Sequence, residues 1–214
     1  MISPEFALAA QRLFTGARTH AQWQARPVAP ELLRQLYELV KQGPTSMNCQ
    51  PLRLLFVQSD DAKARLLACV NPGNVAKTSG APVVAILGQD LDFASRLPTL
   101  FAHKTDAVSY YEGKPGQIER LKGNPIGPWD CLSTSESTAL RNSSLQAGYL
   151  ILAARLLGLD CGPMSGFNAA AVDREFWAGT SVRTNMLCNL GYGDVSALKA
   201  AYPRLSLDEA CGFV

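Results

Sequence analysis

The sequence is poor in charge of either sign. Asp, Glu, Lys and Arg make up 18% of the 214 residues, and 20 basic against 18 acidic side chains leave a formal net charge of only +2. No basic run is present that would track a phosphate backbone, so nucleic acid is excluded as a partner. Long hydrophobic runs are missing as well: no stretch reaches the roughly 18 consecutive apolar residues of a membrane-spanning helix. The start, Met1-Ile2-Ser3-Pro4-Glu5, has no basic segment of a secretion signal. The expectation is a cytoplasmic protein without a membrane partner. Histidine is scarce, with only His20 and His103, and the six cysteines, Cys49, Cys69, Cys131, Cys161, Cys188 and Cys211, contain no CxxC pair. A zinc site therefore lacks ligands, and reduced, buried thiols are expected. Three further absences narrow the chemistry. No GxGxxG follows a strand, Gly158, Gly162 and Gly166 recur without the Lys-Ser/Thr of a P-loop, and no GxSxG is present. A Rossmann nucleotide domain, a P-loop and a hydrolase elbow are not indicated.

What is present is a chain long enough to bury one core without disulfides or metal, with 47% hydrophobic residues. Residues 4–14 have helical character. Pro30 opens a clearer helix in which Leu32, Leu33, Leu36, Leu39 and Val40 recur at helical spacing until Gly43-Pro44 stops it. Leu52–Val57 reads as a strand, Asp60–Val70 as a helix, Asn71-Pro72-Gly73-Asn74 as a turn, and the apolar run Ala81–Leu87 as a strand covered on both faces. The stretch from Ala102 to Ser135 lapses into Gly, Pro, Lys and Tyr; a lid or binding loop and a disordered excursion suit it equally. Glu136–Leu157 is the longest helical segment, apolar almost all round in its C-terminal half, with Gly158 at its C′ position. Leu159–Phe167 reads as a tight loop, Ala169–Trp177 as a short helix and Asn185–Leu190 as a third strand. Without regular βαβ alternation, the fold class is a single-domain α+β sandwich spanning 1–214 with a mainly antiparallel sheet.

Chemistry is carried by polar loops between these apolar elements. Ala17-Arg18-Thr19-His20-Ala21-Gln22-Trp23 sets an arginine fork beside a hydroxyl, as recognition of a phosphate or a carbonyl-rich ring requires. By composition alone, however, Arg18 is a solvated charge and Trp23 a core aromatic. Gly43–Pro51 gathers Thr45, Ser46, Asn48 and Gln50; a helix stop and turn account for Pro44 and Thr45 but less readily for Asn48 and Gln50. Asn74-Val75-Ala76-Lys77 sets a lysine just before a buried strand, where an ordinary exposed lysine is the bland reading. In Gly162-Pro163-Met164-Ser165-Gly166-Phe167, glycines permit close backbone approach to something flat, or simply a turn.

Taken together and in order, these loops resemble the nitroreductase family. The likeness rests on Arg18-Thr19 to Trp23, Pro44-Thr45-Ser46-Met47-Asn48-Cys49-Gln50-Pro51, Asn74 to Lys77, Pro163-Met164-Ser165-Gly166-Phe167 and Pro203-Arg204. It covers nearly the whole chain except roughly residues 103–135. The resemblance implies a nitroreductase-like sandwich, assembled as an interlocked homodimer with FMN at the subunit interface and NADH or NADPH as hydride donor. Arg18, Thr19 and Arg204 would hold the phosphate and ribityl end, with His20 nearby. Asn74 and Lys77 would face the pyrimidine edge, where a cation stabilises reduced flavin. Pro163, Ser165 and Gly166 would line one ring face, the Ser165 backbone N–H toward the flavin N5, and Thr45, Ser46 and Asn48 would come from the other subunit. No catalytic side chain is implied. Ala21 and Tyr202 stand where many members carry a basic residue, which implies weaker phosphate anchoring.

A narrower likeness is to the malonic semialdehyde reductase and pyrimidine-utilisation branch. Ala17-Arg18-Thr19-His20, Gly43-Pro44-Thr45-Ser46, Arg141-Asn142-Ser143-Ser144, Gly162-Pro163-Met164-Ser165-Gly166-Phe167 and Pro203-Arg204-Leu205-Ser206 with Glu209-Ala210-Cys211-Gly212 carry it. It implies ping-pong hydride transfer to a small semialdehyde. The substrate carboxylate would then be fixed by Lys104, Lys114, Arg120 or Lys122 of a lid over 103–135. A broad nitroaromatic or quinone reductase, and a flavin-binding protein without reductase activity, are the competing readings.

Overall fold

The computed structural model describes residues 3–102 and 135–214. The lid expected over 103–135, with Lys104, Lys114, Arg120 and Lys122, lies outside the described residues apart from Ser135. Near the N-terminus, α1 (Pro4–Ala10) starts on Ser3, whose hydroxyl accepts from Phe6 N at 3.2 Å, and it runs into a π-helical turn at Gln11–Thr15. Pro30 occupies the first turn of α2 (Pro30–Val40), where its missing N–H costs nothing; Leu33, Leu36 and Val40 form its buried face. After β1 (Leu52–Val57), Ser59 caps α3 (Asp60–Leu67) by accepting from Ala62 N at 3.2 Å.

The expected turn at Asn71–Asn74 is instead the start of a helix, α4 (Pro72–Ser79). An Asn-Pro-Gly-Asn string reads locally as a turn, but Pro72 sits at the first helical position, where its fixed φ suits a helix start. Strand β2 (Val83–Asp90) and α5 (Leu97–Phe101) follow. The long helix α6 (Ser135–Leu156) ends as expected at Gly158, with φ 85°. Gly158 N donates to Arg155 O and Leu159 N to Ala154 O, the paired bonds of a Schellman motif.

The expected loop at 159–167 is largely a strand, β3 (Asp160–Met164), followed by α7 (Ala169–Phe176), β4 (Val182–Gly191) and a short α8 (Leu207–Ala210). Gly162 and Pro163 obscure β3 in the sequence, yet proline is tolerated on an edge strand. The sheet is fully antiparallel in the order β1-β2-β4-β3, with Asp160 opposite Gly191 and Met164 opposite Leu187.

Central β2 explains its own uninterrupted apolar run. Val83, Ala85 and Leu87 point into a core shared with Leu36 and Val40 of α2 and with Ala147, Leu150 and Ala154 of α6. Val84 and Ile86 face the opposite layer, against Leu66 of α3 and Val172 of α7. A sheet sandwiched in this way buries both pleats of its inner strands. Cys49, Cys161 and Cys188 are buried free thiols, Cys69 is half-buried, and Cys211 is exposed. Among the described residues no helix is long and apolar enough to cross a membrane.

Candidate functional site

Three of the four polar loops meet at the end of the sheet where β3 stops. Asn74 and Lys77, three apart on α4, share one helical face. The Asn74 amide donates to Gly166 O at 3.1 Å, and Asn71 N reaches the same carbonyl at 3.1 Å. Lys77 Nζ donates to Asn74 Oδ1 at 3.1 Å, so among the described residues the ammonium is oriented by an amide rather than neutralised by a carboxylate. The Lys77 carbonyl receives Trp23 Nε1 at 3.0 Å and Asn189 Nδ2 at 3.2 Å, which ties α4 to the first loop and to β4. Trp23 and Asn189 are therefore structural members of this cluster. Ser165 is exposed beside it, while Pro163 and Gly166 are half-buried.

The segment from Arg18 to His20 lies along β3. Thr19 bridges Cys161 in parallel fashion, and His20 N donates to Cys161 O at 3.0 Å. The His20 ring turns inward and is only 5% exposed; its Nε2 stands 3.5 Å from Asp160 Oδ1, while Asp160 Oδ2 accepts from Gly193 N at 2.8 Å. Among the described residues His20 Nδ1 has no hydrogen-bond partner. With His20 as an anchor, Thr19 is left exposed and Arg18 half-buried, the Arg18 guanidinium donating to Lys199 O. Arg204 follows in a tail whose residues 199–214 are all exposed; it donates to the carbonyls of its neighbours Tyr202, at 3.1 Å, and Pro203, at 3.3 Å.

The second loop is held separately. Met47, Asn48 and Gln50 all have positive φ, at 50°, 54° and 40°, a conformation that costs side-chain-bearing residues free energy and persists only where the surroundings impose it. Thr45 Oγ1 accepts from Gln50 N at 3.2 Å, and Asn48 Oδ1 from Gln50 Nε2 at 2.8 Å. Cys49 is buried beneath them, and that burial pushes its thiol up to about 11 despite the Thr45 hydrogen bond. Among the described residues, none of the hydrogen bonds of Thr45, Ser46 or Asn48 reaches the cluster around Lys77. Thr45 is half-buried over Cys49, and Ser46 and Asn48 are exposed.

At the base of this loop, Arg53 Nη2 pairs with the buried Asp90 carboxylate at 2.6 Å, and Ser181 Oγ donates to Asp90 at 2.6 Å. Burial pushes the Asp90 carboxyl up, but the Ser181 hydroxyl, the Arg53 charge and the Asp92 amide outweigh it and hold the group below the ordinary carboxylate range. Asp90, Arg53, Asp160 and Gln146 are site-supporting residues that sequence reasoning misses; Asn142 entered it only within the Arg141-Asn142-Ser143-Ser144 string of the branch likeness, without a role.

No protein-family model matches the chain. Curated relatives do match. A protein of Leptothrix cholodnii, provisionally named NADH dehydrogenase/NAD(P)H nitroreductase, is 52% identical over 204 residues and covers 95% of each chain. Proteins of the same name from Polynucleobacter asymbioticus and Stutzerimonas stutzeri are 53% and 49% identical, over 94% and 99% of this chain and 93% and 98% of theirs. Among solved structures, a provisionally named nitroreductase from Bacillus subtilis superposes with a TM-score of 0.78 at 21% identity, covering 98% of this chain and 99% of its own. One from Exiguobacterium sibiricum, solved in complex with FMN, gives 0.78 at 20% identity over 95% and 96%. The α+β sandwich is thus a shared fold, and the relatives, about half identical across nearly the full length, show that the chain belongs to the nitroreductase family.

Proposed function

We propose that this chain is an FMN-dependent NAD(P)H oxidoreductase, one domain over 1–214, working as an interlocked homodimer in the cytoplasm. The observation that carries the reading is the convergence of Trp23, Asn74, Lys77, Gly166 and Asn189 around a lysine that, among the described residues, no carboxylate orients. The residues suit a flat, electron-accepting ring. A Cβ on Gly166 would stand 2.1 Å from Asn74 Nδ2, so the glycine lets the loop lie flush against α4. Asn189 Oδ1, buried next to the Lys77 carbonyl, has no partner among the described residues.

Lys77 and Asn74 would hold the pyrimidine edge, Pro163, Ser165 and Gly166 one ring face, and Arg18, Thr19 and Arg204 the phosphate end, with His20 pinning the Arg18-Thr19 segment to β3. When bound, FMN supplies an N5 atom that takes hydride from NADH or NADPH and passes it to an acceptor. Lys77 contributes a fixed positive charge beside the ring, worth more in a partly desolvated site than in water. The Ser165 backbone N–H is assigned as the donor toward the hydride-carrying edge.

Ser46 and Asn48, exposed on their own subunit, and half-buried Thr45 are assigned to the second copy's flavin. Exposed apolar side chains support the dimer: Leu140, Leu145 and Tyr149 on α6, and Leu205, Leu207 and Phe213 in the tail. Edge strand β1 leaves a groove against α2, lined by Leu33, Tyr37, Leu54 and Phe56, that suits an extended tail. The free thiols fit a reducing compartment.

For the acceptor, the branch-type loops support a small semialdehyde such as malonic semialdehyde, reduced to 3-hydroxypropanoate. The names of the relatives favour nitroaromatics instead. Purified protein is expected to be yellow, to release FMN, and to bleach anaerobically with NADH or NADPH. A colourless protein that takes up no FMN refutes the proposal, and flavin that stays oxidised with both nicotinamides identifies a binding protein only. Turnover of malonic semialdehyde against a nitroaromatic and a quinone then decides the acceptor.

A further inference from the structure

We infer that Asn142 and Gln146 of α6 are positioning residues that clamp the Thr45–Leu52 segment in its left-handed conformation, and through it shape the flavin site to which that segment is assigned. Asn142 Oδ1 accepts from Ser46 N at 2.7 Å and Gln146 Oε1 accepts from Leu52 N at 3.1 Å. These are the two ends of the segment that contains Met47, Asn48 and Gln50 at positive φ. The acceptors stand one helical turn apart on the same face of α6, and both side chains are buried, at 1% and 4% exposure. Asn142 Nδ2 donates to Thr138 O at 2.9 Å, which fixes the amide so that its oxygen faces Ser46.

The middle of the segment is tied down independently. Arg53 Nη1 donates to Gln50 O at 3.0 Å and to Leu52 O at 2.9 Å, and Cys49 is sunk among Phe93, Leu97 and Ala139. Three residues in an unfavourable backbone region, Met47, Asn48 and Gln50, persist only where the surroundings over-determine them; the bonds from α6 and Arg53 add to the segment's own bonds from Gln50 to Thr45 and Asn48. Buried amides on a helix interior cost free energy unless their hydrogen bonds are made, so their presence on α6 is explained by what they hold. The helix thus acts as a rigid rail, and Thr45, Ser46 and Asn48 are presented from it in one arrangement.

The functional half of this inference rests on the flavin reading above, so its test separates the two. Hydrogen exchange at the amides of Ser46 and Leu52 is measured in the flavin-free protein and in Asn142→Ala, Gln146→Ala and Asn142→Asp, with the amides of β2 and β4 as internal control. FMN affinity is measured in parallel. Each alanine variant is expected to speed exchange at its own amide by about tenfold or more and to weaken FMN by about tenfold, the scale set by one lost buried hydrogen bond. In Asn142→Asp a carboxyl oxygen still accepts from Ser46 N but the donor to Thr138 O is lost, so exchange at Ser46 and FMN affinity are expected to fall between those of Asn142→Ala and of the parent protein.

Unchanged exchange at both amides in the alanine variants overturns the clamp. So does acceleration spread equally over β2 and β4, which marks a general loss of stability. A parent protein that takes up no FMN refutes the flavin reading while the exchange data still decide the clamp. Loosened amides with unchanged FMN affinity overturn the link between this segment and the flavin.

Discussion

Substituting Gly166 by alanine probes the site at the contact that joins two of its loops. The new Cβ would stand 2.1 Å from Asn74 Nδ2, well inside the 3.0 Å below which such contacts are essentially never found. The clashing atom is the end of a side chain, so the backbone need not break; the amide swings away instead. That movement breaks the 3.1 Å bond from Asn74 to Gly166 O and removes the acceptor that orients Lys77, also at 3.1 Å. One neutral hydrogen bond contributes about 0.5–1.5 kcal/mol, and one to a charged group about 1.5–3 kcal/mol, with the exposed lysine at the low end. Fold stability loses only the first of these, which for a chain of this size means a melting temperature lower by roughly 2–6 °C. Flavin affinity loses the oriented cation as well and is expected to fall by about tenfold or more.

Gly73→Ala, in the first turns of the same helix, is the control. Nothing lies within 4 Å of its Cβ, and alanine is the better helix former, so stability is expected to hold or rise with affinity unchanged. Thermal unfolding of the flavin-free protein and fluorescence titration with FMN read both quantities. If Gly166→Ala behaves like Gly73→Ala in both, the Asn74–Gly166 junction organises nothing and the reasoning fails.

Gly193→Ala is expected to be far more damaging to the fold, because its Cβ would fall 1.9 Å from Nδ1 and 2.2 Å from Cγ of the buried His20 ring, which has nowhere to move; overpacking of this kind costs about 1–3 kcal/mol or more, read as a lower melting temperature or loss of soluble protein. Asp90 has a depressed folded-state pKa, so its stabilisation is present above the unfolded carboxylate value near 3.8 and is lost as pH falls through the lower folded value. Asp90→Asn is therefore expected to lose stability at pH 7 and to converge on the parent protein in strong acid; a difference that persists at all pH values argues against the linkage. Arg204→Ala removes an exposed side chain that, among the described residues, is bonded only to its neighbours' carbonyls, so the melting temperature of the flavin-free protein is expected to stay put while FMN affinity falls about ten- to a hundredfold. Unchanged affinity removes Arg204 from the anchor.

The elements that the sequence determined by itself are those whose pattern is local. Pro30 with Leu33, Leu36 and Val40 specifies α2, the unbroken apolar run ending at Leu87 specifies a doubly covered strand, and Gly158 specifies where the long helix stops. Loop order alone was enough to point to the family. Where local chemistry is ambiguous, tertiary structure decided. Asn71-Pro72-Gly73-Asn74 has turn residues, but in the fold it opens α4 and is tied to the loop after β3 by the bonds of Asn71 N and Asn74 to Gly166 O, which sets Asn74 and Lys77 on one face toward Gly166. Gly162 and Pro163 look like loop residues until pairing with β4 makes them an edge strand. The polar residues of α6 are illegible in one dimension, since a buried amide has no meaning until its partner is known. Ser46 and Leu52 lie 96 and 94 residues away from Asn142 and Gln146, and only the fold sets them within 2.7 and 3.1 Å. Propensity and periodicity act over a few residues, so they define elements; hydrogen bonds between elements are set by packing, and the site is made of those.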